Sequence, residues 1–377
     1  MIPAKPILTL AAALLFATAA RAQSVSVNLY GDVDYIGFKL FPPGGAPSTY
    51  SSTFSVPRVA TLFTGTLGRL ALINEITFTV PIYAQDNSFN FDVERFEVSY
   101  QVAEWLRLKA GRFHTAFGYY NDAYHSNFYY QLGADRPGFT RFEEDGGLIP
   151  ARAIGVHADG RIRIGAAGAL HYDVEVANGR GDTLAEILNR QDLNKGKAVN
   201  FRLRYEPAFL EGLVIGANYY FDDIPGSTQV VGVNPNTGAP IGASIPNLHE
   251  QIIAAHVAYA EGRLHLIAEI AHFIHAVRDS DVTFTTDAGF VEAGYTFGDF
   301  TPFVVFDKIV LPGGANGAGA DPYFGLSVAG GFGSTTSVSA GVRWQVVDGL
   351  ALKLQAGHLN AAFGTVESVL SQVAVAF

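Results

Sequence analysis

The sequence predicts an all-β fold: a transmembrane antiparallel β-barrel of about sixteen strands, with fourteen or eighteen as the alternatives. Three observations carry this. Stretches of roughly nine to fifteen residues alternate apolar and polar side chains, the length a tilted strand needs to cross a bilayer. The connections between them alternate between tight turns and long Gly/Pro/Asn-rich loops. Aromatic residues collect at the strand ends, on both sides.

Taken in order, the expected strands are Val25–Phe38, Phe54–Thr66, Leu70–Ile82, Phe89–Val102, Leu106–Thr115, Ala151–Asp159, Ile164–Asn178 and Lys197–Glu206. The second half adds Leu213–Asp222, His249–Ala260, Arg263–Ala276, Thr285–Phe297, Phe300–Val310, Thr336–Val346, Leu350–Asn360 and Val366–Phe377. Tight connections fall at Leu67-Gly68-Arg69, Ala103-Glu104-Trp105, Glu261-Gly262, Gly298-Asp299 and Val347-Asp348-Gly349. Long loops fall near 40–53, 116–150, 179–196, 223–248 and 311–335. That parity places both chain ends on the short-turn side. In Arg95-Phe96-Glu97-Val98-Ser99-Tyr100-Gln101-Val102 the even positions are apolar, and Asn200, Arg202, Arg204 and Glu206 interleave with Phe201, Leu203 and Tyr205. A soluble sandwich would bury the apolar face as core; a barrel turns it to lipid and keeps the polar face for a wet lumen. The aromatics favour the barrel. Tyr100, Trp105, Tyr205, Tyr259, Phe297, Phe300, Trp344 and Phe377 sit by the short turns. Phe38, Phe54, Tyr83, Phe117, Phe221 and Phe284 sit by the long loops, giving a girdle at each interface.

The two ends of the chain agree with this. In Gln372-Val-Ala-Val-Ala-Phe377 apolar residues recur on alternate positions up to a terminal aromatic. A strand that stops there has to pair early in the chain, or an edge stays open. The pattern resembles the closing strand of Gram-negative outer-membrane barrels, and that resemblance implies that Phe377 is an assembly signal. Residues 1–22 are expected to be a cleaved export signal: Lys5 is its basic start, Ile7 to Ala20 its apolar run, and Ala20-Arg21-Ala22 its cleavage site. The barrel domain then occupies 23–377. After Gln23 no run reaches the ~18 uninterrupted apolar residues of a spanning helix.

The composition fits. The 377 residues include 41 Gly, 17 Tyr and 28 Phe, with only 16% charged. Mean hydropathy is +0.19, which lipid-facing strands would explain. Cysteine is absent, which excludes disulfides and thiolate metal sites. Removing Lys5 and Arg21 with the signal takes the net charge from −10 to −12, an acidic balance that argues against nucleic acid as a partner.

A barrel of this size is too wide to be filled by its own side chains, so something has to narrow it. The longest insertion, Ala116 to Pro150, holds Tyr119, Tyr120, Tyr124, Tyr129 and Tyr130 together with Arg136, Arg141 and Glu143-Glu144-Asp145. So many aromatics argue against disorder. The segment Leu106-Arg-Leu-Lys-Ala-Gly-Arg-Phe-His-Thr-Ala-Phe-Gly118 is similar to the strand-to-loop stretch of phosphate-selective porin O and P type proteins, and the whole pattern resembles the Gram-negative porins. The resemblance implies an outer-membrane channel for ions and small hydrophilic solutes. It also implies a third loop folded into the lumen, a homotrimer in outer-membrane lipid, no cofactor and no enzymatic activity. The loop lacks the dense Lys/Arg run that a dedicated phosphate filter would need.

Inward-phase basic residues are Arg58, Arg95, Arg107, Lys109, Arg112, Arg152, Arg202, Arg204, Arg343 and Lys353; acidic ones are Asp32, Asp34, Glu75, Glu97, Asp173, Glu175, Glu269 and Asp307. The expected constriction consists of Arg95, Arg107, Lys109, Arg112, His114, Arg136, Arg141, Arg152, Arg202 and Arg204, facing Glu143, Glu144 and Asp145 across a narrow eyelet. Charge rings of this kind set ion preference, here mildly for anions. The alternatives are a substrate-specific channel, for phosphate or another anion or for a sugar that stacks on the loop tyrosines, and an adhesin or barrel enzyme. His256, His265, His272 and His275 suggest zinc, but a spacing of three puts His272 and His275 on opposite strand faces. His125 and Ser126 are adjacent without any hydrolase motif.

Overall fold

Period-two patterning produces strands almost from end to end. The computed structural model describes residues 24–79, 90–125, 128–184, 196–233, 240–312, 321–327 and 333–377. The expected export signal and Tyr83 lie outside the described residues. Strand β1 is Ser24–Phe41, and β2 runs as Thr49–Ser55 and Arg58–Leu67. Pro57, which has no N–H for a ladder, splits β2. Its two pieces pair with successive parts of β1, so they form one barrel strand.

There follow β3 (Leu70–Thr79), β4 (Asn90–Ala103), β5 (Leu106–His114), β6 (Arg152–Arg163), β7 (Gly168–Ala177), β8 (Ala198–Pro207) and β9 (Leu213–Ile224). Then come β10 (Leu248–Glu261), β11 (Leu264–Val277), β12 (Thr283–Tyr295), β13 (Phe300–Val310), β14 (Thr335–Val347), β15 (Leu350–Ala361) and β16 (Gly364–Ala376). All neighbours are antiparallel, and β16 returns to β1 from Tyr30↔Ala376 to Phe41↔Thr365. The result is a closed barrel of sixteen strands. Leu29 and Phe377 exchange both backbone hydrogen bonds at 2.8 and 2.9 Å, so the terminal aromatic is the last rung of the seam. No helix among the described residues is long and apolar enough to cross a membrane.

Three boundaries differ from expectation. The first long loop is shorter, because β2 starts at Thr49. The turn between β6 and β7 lies at Ile164 to Ala167, where Gly165 takes a φ of +57°, rather than before Ile164. The loop after β9 carries its own hairpin, Ser227–Val233 with Pro240–Ile245.

The outward face is apolar, as a lipid-facing wall requires: Ile270 is 65% exposed, and Val156, Leu203, Val304, Phe306 and Leu354 are similarly open. The inward face departs from the expectation of a uniformly polar lumen. On β10 to β13, Ile252, Ala254, Ala258, Ile267, Ala271, Phe273, Ala288, Phe290 and Ile309 all point inward and are buried. They pack against Phe117, Tyr120, Phe139, Phe142, Leu148 and Ile149 of the loop between β5 and β6. The hydrophobic core therefore lies inside the barrel. Two expected girdle residues belong to the buried set: Phe117 joins this core and Phe284 is buried as well, whereas Trp105, Phe297, Phe300, Trp344 and Phe54 are exposed.

Candidate pore constriction

The third long loop, residues 115–151, is inside the barrel and held by the wall on most sides. Its entry is fixed by β7, β8 and β9. Ala116 donates to Glu175 at 2.8 Å, and its carbonyl accepts from Asn200 at 2.9 Å and Asn218 at 2.7 Å. Helix α1 (Tyr120–Tyr124) then starts against β11. Glu269 Oε1 accepts the backbone N–H groups of Tyr119 and Tyr120 at 2.9 and 2.5 Å, where a carboxylate suits the free amides of a helix start. Further along, the loop crosses to the opposite wall. There Lys353 of β15 donates to the carbonyls of Phe128 and Gly133, and Gln355 accepts from Ala134 at 2.9 Å. Tyr129 reaches the β14–β15 turn, where Gly349 N–H donates to its hydroxyl at 3.1 Å.

Arg136 staples the loop internally. It donates to the carbonyls of Tyr124, His125 and Thr140 and lies over the Phe142 ring at 4.5 Å. Burial pushes its pKa down to about 10, which leaves it charged at neutral pH. Tyr120 and Tyr129 are packing residues of this structure, and Tyr119 and Tyr124 pack against the same core. The stacking surface expected of the loop tyrosines is thus largely spent inside the protein.

The charged candidates sort into pairs. Arg95 bonds Glu75 at 2.8 Å; Arg107 and Lys109 share Asp159 at 2.9 and 3.1 Å. Arg112 donates to the Glu94 carbonyl at 3.2 Å and to Asp92 at 3.4 Å. Arg152 grips Glu94 at 2.5 and 3.0 Å. Arg202 bridges Asp173 and Asp122 at 2.8 and 3.0 Å, and Arg204 adds Asp122 at 3.1 Å. For Asp122 burial works to raise the carboxyl pKa, but Arg202 and Arg204 outweigh it and hold it below the usual range. Arg141 pairs with Asp135. His114 stands 3.6 Å from Glu75 and stacks on His125, with ring centroids 3.5 Å apart.

Two backbone irregularities bring this about. Glu94 is the extra residue of a β-bulge, since Glu75 pairs with Arg95 while Ile76 pairs with Val93. Glu94 and Arg95 can then both find partners in the lumen. In β5, Gly111 adopts a φ of +129°, a conformation that favours glycine. It breaks the alternation, so Arg107 and Lys109 before it and Arg112 and His114 after it all reach interior groups.

The acidic side of the eyelet differs from expectation. Glu143 does not face the basic wall across a gap. It lies buried beside it, 3.5 Å from Arg152, and accepts the Ala151 N–H at 2.7 Å. Buried guanidiniums need close partners, and this carboxylate is one of them. Glu144 sits in the same turn, Glu143–Asp145, and its side chain lies outside the described residues. Asp145 instead lines a cavity of about 270 Å³ with Asp135, Arg141 and Asp307, between the loop and strands β13 to β16. The histidines of β10 and β11 behave as their spacing requires. His275 is buried between Glu250 and Asp321, 3.0 and 2.7 Å away, while His272 is exposed and pairs with Asp287. Asp321 precedes helix α2 (Pro322–Ser327), whose Tyr323 and Phe324 are buried against the same wall. Ser126 lies outside the described residues.

The barrel can now be compared with known proteins. A family model described as Gram-negative porin matches residues 9–376. No curated protein matches the chain in sequence. Among solved structures, an anion-selective porin from Comamonas acidovorans aligns with a TM-score of 0.60 at 13% identity, covering 94% of this chain and 100% of that one. In vitro folded OmpT of Vibrio cholerae, in its trimer form, gives 0.59 at 13%, with 94% and 100% covered. OmpF of Salmonella typhi in complex with daunomycin gives 0.56 at 15%, with 93% and 97% covered. Sixteen closed strands, an apolar outer wall and an infolded third loop agree with that family match, and the chain belongs to the Gram-negative porin family as a channel protein of the outer membrane.

Proposed function

We propose that this protein is a passive-diffusion porin without enzymatic activity. Ions and small hydrophilic solutes cross by size exclusion beside the infolded third loop, with a mild preference for anions. The supporting observation is the loop itself, which is held across the lumen by named charged and amide side chains and so sets the width of the path. The anion preference rests on which partner of an ion pair meets the solvent. Arg95 is 23% exposed over a Glu75 at 1%, and Arg107 is 42% exposed over an Asp159 at 17%. Guanidinium therefore forms the wetted surface at those two places, and a low-dielectric wall strengthens its field. The Arg204–Asp122, Arg202–Asp122, Arg112–Asp92 and Arg152–Glu94 pairs have the opposite order, which keeps the preference mild. The constriction comprises Arg95, Arg107, Lys109, Arg112, His114, Arg152, Arg202 and Arg204 of β4 to β8, with Arg136, Arg141, Glu143, Glu144 and Asp145 of the loop.

Residues 1–22 act as an export signal that is removed, and Phe377 at the seam serves assembly in outer-membrane lipid. Three copies associate, a reading supported by the trimer form of Vibrio cholerae OmpT. Single-channel recording of refolded protein in a planar bilayer tests the channel, its ion preference and its association into threes. Stepwise ohmic openings in groups of three are expected, with a reversal potential on the anion side in a salt gradient. Arg95→Gln with Arg107→Gln should move that potential toward cations. Folded protein that does not conduct, or a wild-type preference for cations, would overturn the reading.

A further inference from the structure

Glu94, His114 and His125 place a carboxylate and two imidazoles together, with ligand atoms all within 4.8 Å of one another. They come from three places in the fold: the bulge of β4, the end of β5 and the infolded loop. Both His114 Nε2 and His125 Nε2 are buried without a hydrogen-bond partner. The tautomer of His125 follows from its neighbour. Asn121 donates through Nδ2 to the carbonyls of Thr115 and Ala151, at 3.0 and 3.2 Å. Its Oδ1 is thereby fixed as an acceptor, 2.8 Å from His125 Nδ1, so Nδ1 carries the proton. With the proton on Nδ1, Nε2 is the nitrogen left to offer a lone pair, 3.9 Å from Glu94 Oε2. An anchored amide that accepts from the far nitrogen and so orients the near one is the outer-shell arrangement of a metal-binding histidine.

We propose that His114, His125 and Glu94 form a binding site for a late divalent transition-metal ion of the zinc class, with Glu75 as the adjoining fourth ligand. Glu75 Oε2 is 3.6 Å from His114 Nε2. A tetrahedral ion with bonds of about 2.0 Å needs ligand atoms about 3.3 Å apart, so the stacked rings splay and the widest gap closes by roughly 1.5 Å. Two imidazoles select against calcium and magnesium, which take oxygen. Turning Glu94 toward the ion leaves Arg152 beside Glu143, 3.5 Å away. The nearby arginines oppose any cation, so binding depends on both imidazoles together. A bound ion would tie the loop to β4 and β5 and fix the constriction.

Cobalt(II) titration of the folded full-length protein in detergent tests this directly. One ion per chain should bind, with the visible absorption of a tetrahedral site, and zinc should displace it. His114→Gln and His125→Gln should each weaken binding at least tenfold, while heat-modifiable migration on gels reports that the barrel still forms. Folded wild type without stoichiometric binding overturns the proposal, as does a folded double variant that binds as wild type does. Anomalous scattering at the zinc edge from wild-type crystals grown with zinc chloride decides independently of any variant. A peak between the two Nε2 atoms supports the site, and zinc found only elsewhere sinks it.

Discussion

At the scale of single residues, the interior depends on positions with no slack. A Cβ added at Gly111 would lie 2.0 Å from the Phe96 carbonyl oxygen, at a φ that side chains avoid. Gly111→Ala should cost about 2–3 kcal/mol or more and lower the yield of heat-modifiable barrel on refolding. Asp122 gives a pH dependence. Its folded-state carboxyl pKa is depressed, so the unfolded chain binds its proton first, and the contribution to stability is present above about pH 4 and lost as pH falls further. Because Asp122 is partly open to solvent, the effect should appear as noisier current below about pH 4 rather than as unfolding. Asp122→Asn should already show that noise at neutral pH. The alternation points to the basic residues that meet here and to Glu75 and Asp173 among their partners, but not to Glu94, Asp92, Asp122 or Asp159. Glu94 was invisible as a partner because a bulge, not the alternation, aims it inward. His125 was read only beside Ser126, since no local spacing brings residues 94, 114 and 125 together.

At the scale of elements, the strands were legible because a period of two survives in nearly all of them, and tight turns punctuate it. The docking face on β10 to β13 is hidden from a simple apolar/polar alternation, although its signal is there: Ile252-Ile253-Ala254-Ala255 is apolar in both phases, as a strand with lipid on one face and packed protein on the other should be. Pro57 likewise announces the split in β2. The loop that docks on that face should be releasable by single changes in the wall. Glu269→Ala leaves two N–H groups without their acceptor, at about 1–3 kcal/mol each. Lys353→Met removes the donor to two loop carbonyls. Both variants should conduct more, and with larger fluctuations, in single-channel records. Unchanged conductance would mean that the loop does not set the width of the path.

At the scale of the whole molecule, the barrel is inverted relative to a soluble protein on its outside and conventional on its inside. The outward wall is the side that cannot accept charge. Ile270→Arg, in the middle of β11 and facing lipid, should destabilise the barrel by about 2–4 kcal/mol, read as a shift in the urea midpoint in lipid vesicles. Arginine at the inward Ser339, which lines the cavity beside the loop, should instead alter ion preference with a smaller midpoint shift. Equal destabilisation by the two changes would contradict the assignment of the faces.

The manner in which the third loop is held has a bearing on the order of events during folding. Its contacts reach Lys353, 225 positions after Phe128, and the interior rung from Gln372 to Asp32 spans 340. Such separations make closure slow and late, because the entropy of a long loop must be given up before the contact rewards it. The partners of the loop on β15 are synthesised long after the loop itself. The seat of the loop is spread over β7 to β9, β11 and β15, so it is complete only once those strands stand together in the wall, and the cylinder passes through a stage in which its interior is still unfilled. Channels recorded soon after the barrel forms, as judged by gel migration, should carry more current and then settle to the final step, and the time of that settling measures how long the loop takes to find its seat.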